Sequence, residues 1–132
     1  MGRRHMIIMT IRDLLNIIPV LRELLEKPFK GAIAFKLARL VRELDKESSL
    51  FEFSRQKIAE KYGLRDENNN LITDEEGNIK LQQDKINLCN EEMMTLLNTE
   101  ISISADKIPI SAFEDIEITP AQAIIISSLI ED

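Results

Sequence analysis

The stretch "GAIAFKLARLVRELDKESSLFEFSRQKIAEKY", residues 31–62, constrains this chain more than any other part of it. Ile33, Leu37, Leu40, Val41, Leu44, Phe51, Ile58 and Tyr62 recur near 3.6-residue spacing, which is how one face of an amphipathic helix reads in sequence. Unbroken, the helix would be about 48 Å long at a rise of about 1.5 Å per residue. That exceeds the width of a compact domain of 132 residues, so part of the stripe is expected to meet a partner chain. Ser49 and Glu52 offer an alternative, because together they make a capping box that would start a second helix after a tight corner. Gly63 is placed to end the helix as a left-handed cap. Phe35, Phe51, Phe53 and Tyr62 fall in or near the presumed packing faces.

The flanks carry sharper local signals. Thr10 with Asp13 three residues on predicts a helix start, followed by Leu14, Leu15, Ile18, Leu21, Leu24 and Leu25 at helical spacing. Pro19 is expected to break or kink that helix, since it has no N–H and clashes one turn back. Thr119, Pro120 and Gln122 make the strongest start signal in the chain: an N-cap, a proline in the first turn and a closing glutamine. The helix they open, through Ile130, carries Ile124, Ile125, Ile126 and Leu129, too apolar to stand bare in water. A further helix from Asp84 places Ile86, Cys89, Met93, Leu96 and Leu97 on one face.

β-structure is expected in short pieces. Ile101-Ser102-Ile103, Ile108-Pro109-Ile110 and Ile116-Glu117-Ile118 alternate as half-buried strands do, with Pro109 confining its strand to an edge or bulge. Leu71-Ile72-Thr73 and Ile79-Lys80-Leu81 flank a hairpin loop at residues 74–78, and no tandem repeat is recognised. The fold expected is therefore α+β and mainly α. A long helix or helical hairpin packs on a second helix, with a small β-hairpin and short C-terminal strands. Residues 1–9 read as a cloning remnant or flexible start, and residues 10–132 as a single mixed helical domain.

Charge and composition narrow the function. Residues 1–65 hold 14 Lys/Arg against 8 Asp/Glu, and residues 66–132 hold 3 against 15. The two halves are expected to neutralise one another in part, or to do so against a second copy. Lys36, Arg39, Arg42 and Lys46 share a helix face and form a candidate stripe for phosphate or an acidic partner. Nucleic acid is not favoured, since the net charge of −6 repels phosphate at long range and no set of stacking aromatics accompanies the stripe. No membrane span is expected, because runs such as residues 123–126 fall far short of the roughly 20 apolar residues needed.

The oxygen-rich segment "DENNNLITDEEGNIKLQQDK", residues 66–85, invites comparison with a calcium loop. Counted from Asp66 the turn glycine position holds Leu71 and the closing carboxylate position Gly77; from Asp74 they hold Ile79 and Lys85. Neither register works. With one histidine and one cysteine, zinc and Cys–His nucleophilic chemistry lack residues. Cys89 reads as a small core hydrophobe, and carboxylate pairs such as Glu91-Glu92 as solvated surface. Neither a catalytic residue nor a cofactor or metal is assigned.

Read together, "FKLARLVRELDKESSLFEFSRQKIAEKYGLRDENNNLI", "NEEMMTLLNTEISI" and "FEDIEITPAQAIIISSLIED" resemble a family of small uncharacterised proteins encoded by tailed phages and prophages of Gram-positive bacteria. The shared pattern is a long helix ending in an R-x-K-x-x-E-K-Y-G-like segment, a D-E-x-x-N turn, an acidic helix with a leucine pair and a closing T-P helix. The resemblance spans about residues 29–132 and includes no catalytic motif. It implies a product made in the cytoplasm of an infected bacterium, or carried on the virion.

The expectation for function is a non-enzymatic, self-associating protein of virion assembly, or a scaffold, whose partner is itself or a virion protein. Self-association is assigned to Leu37, Leu40, Leu44, Phe51, Ile124, Ile125 and Leu129. Two alternatives are a phage-encoded inhibitor of a host defence protein or nucleic-acid enzyme, and a small-molecule-binding oligomer.

Overall fold

In the computed structural model, which describes residues 6–132, local capping chemistry sets where two helices begin. Strand β1 (Met6–Thr10) runs straight into helix α1 (Ile11–Leu24) at Thr10. The Thr10 hydroxyl accepts from the Asp13 N–H at 3.1 Å, and the Asp13 carboxylate accepts from the Thr10 N–H at 3.1 Å. Helix α4 (Pro120–Ile126) opens the same way, with Thr119 and Gln122 exchanging bonds of 2.9 and 3.1 Å. Each box satisfies two amides that the first turn of a helix leaves without partners. Residues 1–5, part of the expected cloning remnant, lie outside the described residues; Met6–Thr10 is a paired strand and not a flexible start.

α1 continues through Pro19 without a break. Pro19 lies on the exposed side, while Leu14, Ile17, Val20, Leu21 and Leu24 bury on both sides of it. Anchoring both halves to one core outweighs the lost backbone bond. Helix α2 (Gly31–Lys61) is one helix and not two. Leu44 is buried on one side of Ser48 and Ser49, and Phe51 on the other.

The chain, expected as one domain, divides into two compact units. One comprises residues up to Ser48 together with Glu100–Asp132, and the other Ser49–Thr99. In the first unit β1 pairs antiparallel with β2 (Glu100–Ser104), with Ile7 opposite Ile103 and Met9 opposite Ile101 on the inner side. These join α1 residues and Leu37, Leu40, Val41 and Leu44 of α2 in one core. Strand β3 (Ile108–Pro109) pairs in parallel with β4 (Ile130–Glu131), so Pro109 does sit in a minimal two-stranded edge. Residues 116–118, expected as a strand, form none; they lead from a 3-10 turn at Ile110–Phe113 to the Thr119 cap. α4 is shorter than the periodicity suggests, giving way to a 3-10 turn at Ser127–Leu129 that feeds β4. The edge-on Phe29–Phe113 ring pair at 5.8 Å and a Gln122–Glu23 bond of 2.9 Å tie the C-terminal segment to the N-terminal one. Residues 100–132 hold one lysine against seven carboxylates, and residues 6–48 hold eight basic against six acidic groups. Much of the sequence's charge asymmetry is thus folded into a single unit.

The second unit contains a motif that the sequence reading missed. From residue 63 to 81 the backbone repeats with an offset of eight, from Asp66 to Asp74. Bridges join Arg65 to Leu71, Thr73 to Ile79, and Leu81 back to Gly63. The Leu64 N–H donates to the Lys80 carbonyl (2.7 Å), Lys80 to Ile72 and Ile72 to Leu64 (both 2.9 Å), closing a ring of three short rungs. Each tip is a turn in which one aspartate Oδ1 accepts two amides: Asp66 from Asn68 and Asn70, Asp74 from Glu76 and Asn78. The left-handed position falls on Asn69 (φ 64°) in the first tip and Gly77 (φ 85°) in the second. Asn and Gly are the residues that accept that conformation at least cost. The oxygens that resembled a calcium loop are therefore occupied with their own backbone amides.

Gly63 stands at the rung position occupied by Leu71 and Ile79 in the other two rungs. It is not the left-handed cap expected, because among the described glycines only Gly77 has positive φ. Its role is spatial: a Cβ there would lie 2.6 Å from Leu71 Cδ2 and 2.9 Å from Ile79 Cγ2. The ring has room for two side chains at its centre, and glycine leaves the third place empty. A short 3-10 turn (Gln83–Lys85) then leads into helix α3 (Ile86–Leu97), whose Cys89 is buried. The Glu92 carboxylate accepts from Lys61 (2.6 Å) and the Tyr62 hydroxyl (2.5 Å), linking α3 to the end of α2.

Candidate functional site

On the outer face of α2, Lys36, Arg39 and Arg42 come round at intervals of three, while the opposite face carries Leu37, Leu40 and Leu44 into the core. Ile103 and Ala105 belong to that same core. Their burial brings residues 104–106, at the end of β2, alongside the basic face. Lys36, Arg39, Arg42 and Glu43 together with residues 104–106 line a concavity of about 90 Å³.

The electrostatics of this concavity are unbalanced. Glu43 is engaged by Lys46 at 3.1 Å. Among the described residues Lys36, Arg39 and Arg42 make no ion pair, although Arg22, Arg55, Lys57 and Lys61 each find a carboxylate. Three neighbouring cations against one unpaired carboxylate leave a net positive charge, and an anion placed among them offsets it. Asp106, also on the rim, makes no ion pair among the described residues. Of the four stripe residues named from the sequence, three therefore share a concave site, and Lys46 instead neutralises its neighbour. The wall formed by Ser104 and Asp106 lies far along the chain, and no local pattern marks it.

The expected self-association residues separate into two groups. Leu37, Leu40, Leu44 and Leu129 are enclosed in the core of the first unit, and Phe51 is buried in the second. They pack as core residues, and a second copy could reach them only by opening the fold. Ile124, at 75 % exposure, and Ile125 remain on the surface, beside a cleft of about 270 Å³ lined by Ile17, Ser127, Ser128, Asp13 and Asn16. Other apolar side chains are exposed that the sequence reading placed elsewhere. Phe35 (71 %) and Phe53 stand in solvent, contrary to the expectation that they pack. Lys57 covers the Phe53 ring at 5.3 Å. Helical phase gives the signal in retrospect, because Phe35 lies opposite Leu37, Leu40 and Leu44.

Cys89 borders a cleft of about 350 Å³ with Gln56, Asn78, Asn90 and Met93. Burial raises its thiol above the usual range, with the Glu92 carboxylate adding to the effect. A raised thiol is protonated and unreactive at neutral pH, consistent with a packing role. Among the described residues no three His, Cys, Asp or Glu side chains gather as a metal site, and no helix is long and apolar enough to cross a membrane.

Comparison with protein-family models, with curated proteins and with solved structures finds no match. What the geometry defines is a mainly helical α+β chain of two units, with a cationic concavity and a bare isoleucine pair on the first.

Proposed function

We propose that this chain is a non-enzymatic interaction protein of phage or prophage origin that self-associates and serves in virion assembly or as a scaffold. The phage context rests on the resemblance of residues 29–132. The observation that carries self-association is the exposure of Ile124 and Ile125 beside an open cleft. A projecting side chain next to a recess on one surface suits a twofold contact, in which each copy fills the other's recess. Fully burying one isoleucine contributes about 1.5–3 kcal/mol. Ile124, at 75 % exposure, would gain most of that on each copy and Ile125, at 37 %, a smaller part.

Light scattering at micromolar concentration tests this, together with the variant Ile124→Asp. The expected result is a mass above that of one chain, reverting to one chain in the variant. A strict monomer in the parent protein ends the proposal. A second reading is favoured by the second unit, where Glu67, Glu75 and Glu76 stand exposed on the two turn tips. An inhibitor that offers these carboxylates to a basic host protein would lose its target in Glu67→Gln/Glu75→Gln/Glu76→Gln, whereas self-association would be untouched.

A further inference from the structure

We propose that the concavity formed by Lys36, Arg39, Arg42, Ser104 and Asp106 binds a single phosphate group, presented as inorganic phosphate or as a phosphomonoester. Volume decides the size of the ligand. About 90 Å³ holds one tetrahedral oxyanion. It is far below the roughly 300 Å³ at which pockets for whole small molecules begin, so a nucleotide would leave its base outside. Charge decides the sign. Three cations that make no ion pair among the described residues line the space, and two are arginines, whose forked donors fit phosphate oxygens two at a time. Ser104 adds a hydroxyl donor.

Asp106 makes the site more specific than a basic patch. An ionised carboxylate only accepts hydrogen bonds. It would repel sulfate, which carries no proton at neutral pH, and would accept from the P–OH that inorganic phosphate retains there. A phosphomonoester, with a second pKa of about 6, offers the same proton as pH falls toward that value. A phosphodiester backbone has no such proton, and the chain's net charge of −6 opposes a polyanion. A protonated phosphate oxygen facing Asp106 thus meets an acceptor, whereas a bare oxyanion meets a like charge.

The full chain is titrated at about pH 6, where the monoester as well as the free ion retains a proton, with inorganic phosphate, phenyl phosphate and sodium sulfate at constant ionic strength. Amide and arginine Nε–H resonances are followed by NMR. The expected result is saturable movement confined to Arg39, Arg42 and residues 104–106, with sulfate weaker by roughly tenfold, about the worth of one charge-assisted hydrogen bond. Arg39→Ala and Arg42→Ala should each weaken phosphate by roughly tenfold, and Asp106→Asn should remove the preference over sulfate. Tighter binding of phenyl phosphate assigns an ester as ligand, and tighter inorganic phosphate assigns the free ion. Shifts that track ionic strength alone, or equal binding in Arg39→Ala, overturn the site. Unchanged discrimination in Asp106→Asn overturns the role of that carboxylate. The substituted side chains lie at the surface, and circular dichroism verifies that each variant is folded. Ile124→Asp should bind phosphate unchanged, so the outcome is independent of self-association.

Discussion

Replacing Gly63 by alanine adds a single methyl group at the centre of the three-rung ring, and the structure fixes what that methyl meets. It would lie 2.6 Å from Leu71 Cδ2, 2.9 Å from Ile79 Cγ2 and 3.1 Å from the Ala59 carbonyl oxygen. Carbon atoms in good contact sit about 3.5–4.0 Å apart, so the overlap approaches 1 Å on the Leu71 side. Leu71 can rotate its end away, but Ile79 cannot follow easily. Its Cγ2 is bonded directly to Cβ, and a β-branched side chain is stiff at that torsion. The Ala59 oxygen is backbone and moves only with the helix. Overpacking of this kind costs about 1–3 kcal/mol, and the smaller conformational freedom of alanine in the unfolded chain returns about 0.4–1 kcal/mol. A net loss of about 1–2 kcal/mol is expected.

Urea denaturation followed by circular dichroism measures the loss, and hydrogen exchange localises it. The amides of Leu64, Ile72 and Lys80 donate the bonds that close the ring, so their protection should fall most. The variant Leu71→Ala removes the nearest obstacle. In that background Gly63→Ala should cost at least about 1 kcal/mol less than in the parent, a coupling typical of residues in contact. Gly31→Ala, where nothing lies within 4 Å, is the control and should not destabilise. Equal stability of parent and Gly63→Ala, or equal cost in both backgrounds, would refute the crowded-centre account.

The two turn tips make a matched pair. Gly77→Ala forces a side chain into φ 85° and should cost about 1 kcal/mol, whereas Asn69→Gly relaxes φ 64° and should be neutral or slightly stabilising by thermal denaturation. The Lys61–Tyr62–Glu92 cluster sets a pH profile. Hydrogen bonds from Lys61 and then Tyr62 hold Glu92 below its ordinary 4.5, so its contribution is complete above that value and fades as pH falls through the lowered one. The bond to Glu92 raises Lys61 and Tyr62 above their ordinary 10.5 and 10.0, so theirs is complete below about pH 10 and fades as pH rises through the raised values. Glu92→Gln should flatten both limbs of a stability profile followed by tyrosine fluorescence; superimposable profiles would count against the cluster.

The features that could be read directly are those whose partners are neighbours in sequence. Thr10 with Asp13 and Thr119 with Gln122 need only a three-residue span, and both boxes form as read. The apolar stripe from Leu37 to Leu44 needs only helical phase, and those side chains are buried. The eight-residue repeat was also present in the letters, with Asp66, Glu67 and Asn70 answered by Asp74, Glu75 and Asn78. Two degenerate copies escaped notice because Leu71-Ile72 is matched by Ile79-Lys80, and the third rung has glycine where the others have an apolar residue.

By itself, then, the sequence determined helix starts, helix phase, the mainly helical class and the basic stripe, because short-range sterics and hydrogen bonds act the same way in any context. It could not say which apolar residues would be covered. Leu40 and Phe35 look alike as hydrophobes, yet one is enclosed and the other is bare, a difference set by what lies against each side of α2. Tertiary structure alone decided that Pro19 would not break α1, since buried residues on both sides of it hold the helix to one core. It alone decided that Gly63 answers to crowding and not to dihedral strain. And it alone set Ser104 and Asp106 against Arg39 and Arg42, because the pairing of β2 with β1 and the burial of Ala105 are long-range events that no local pattern encodes.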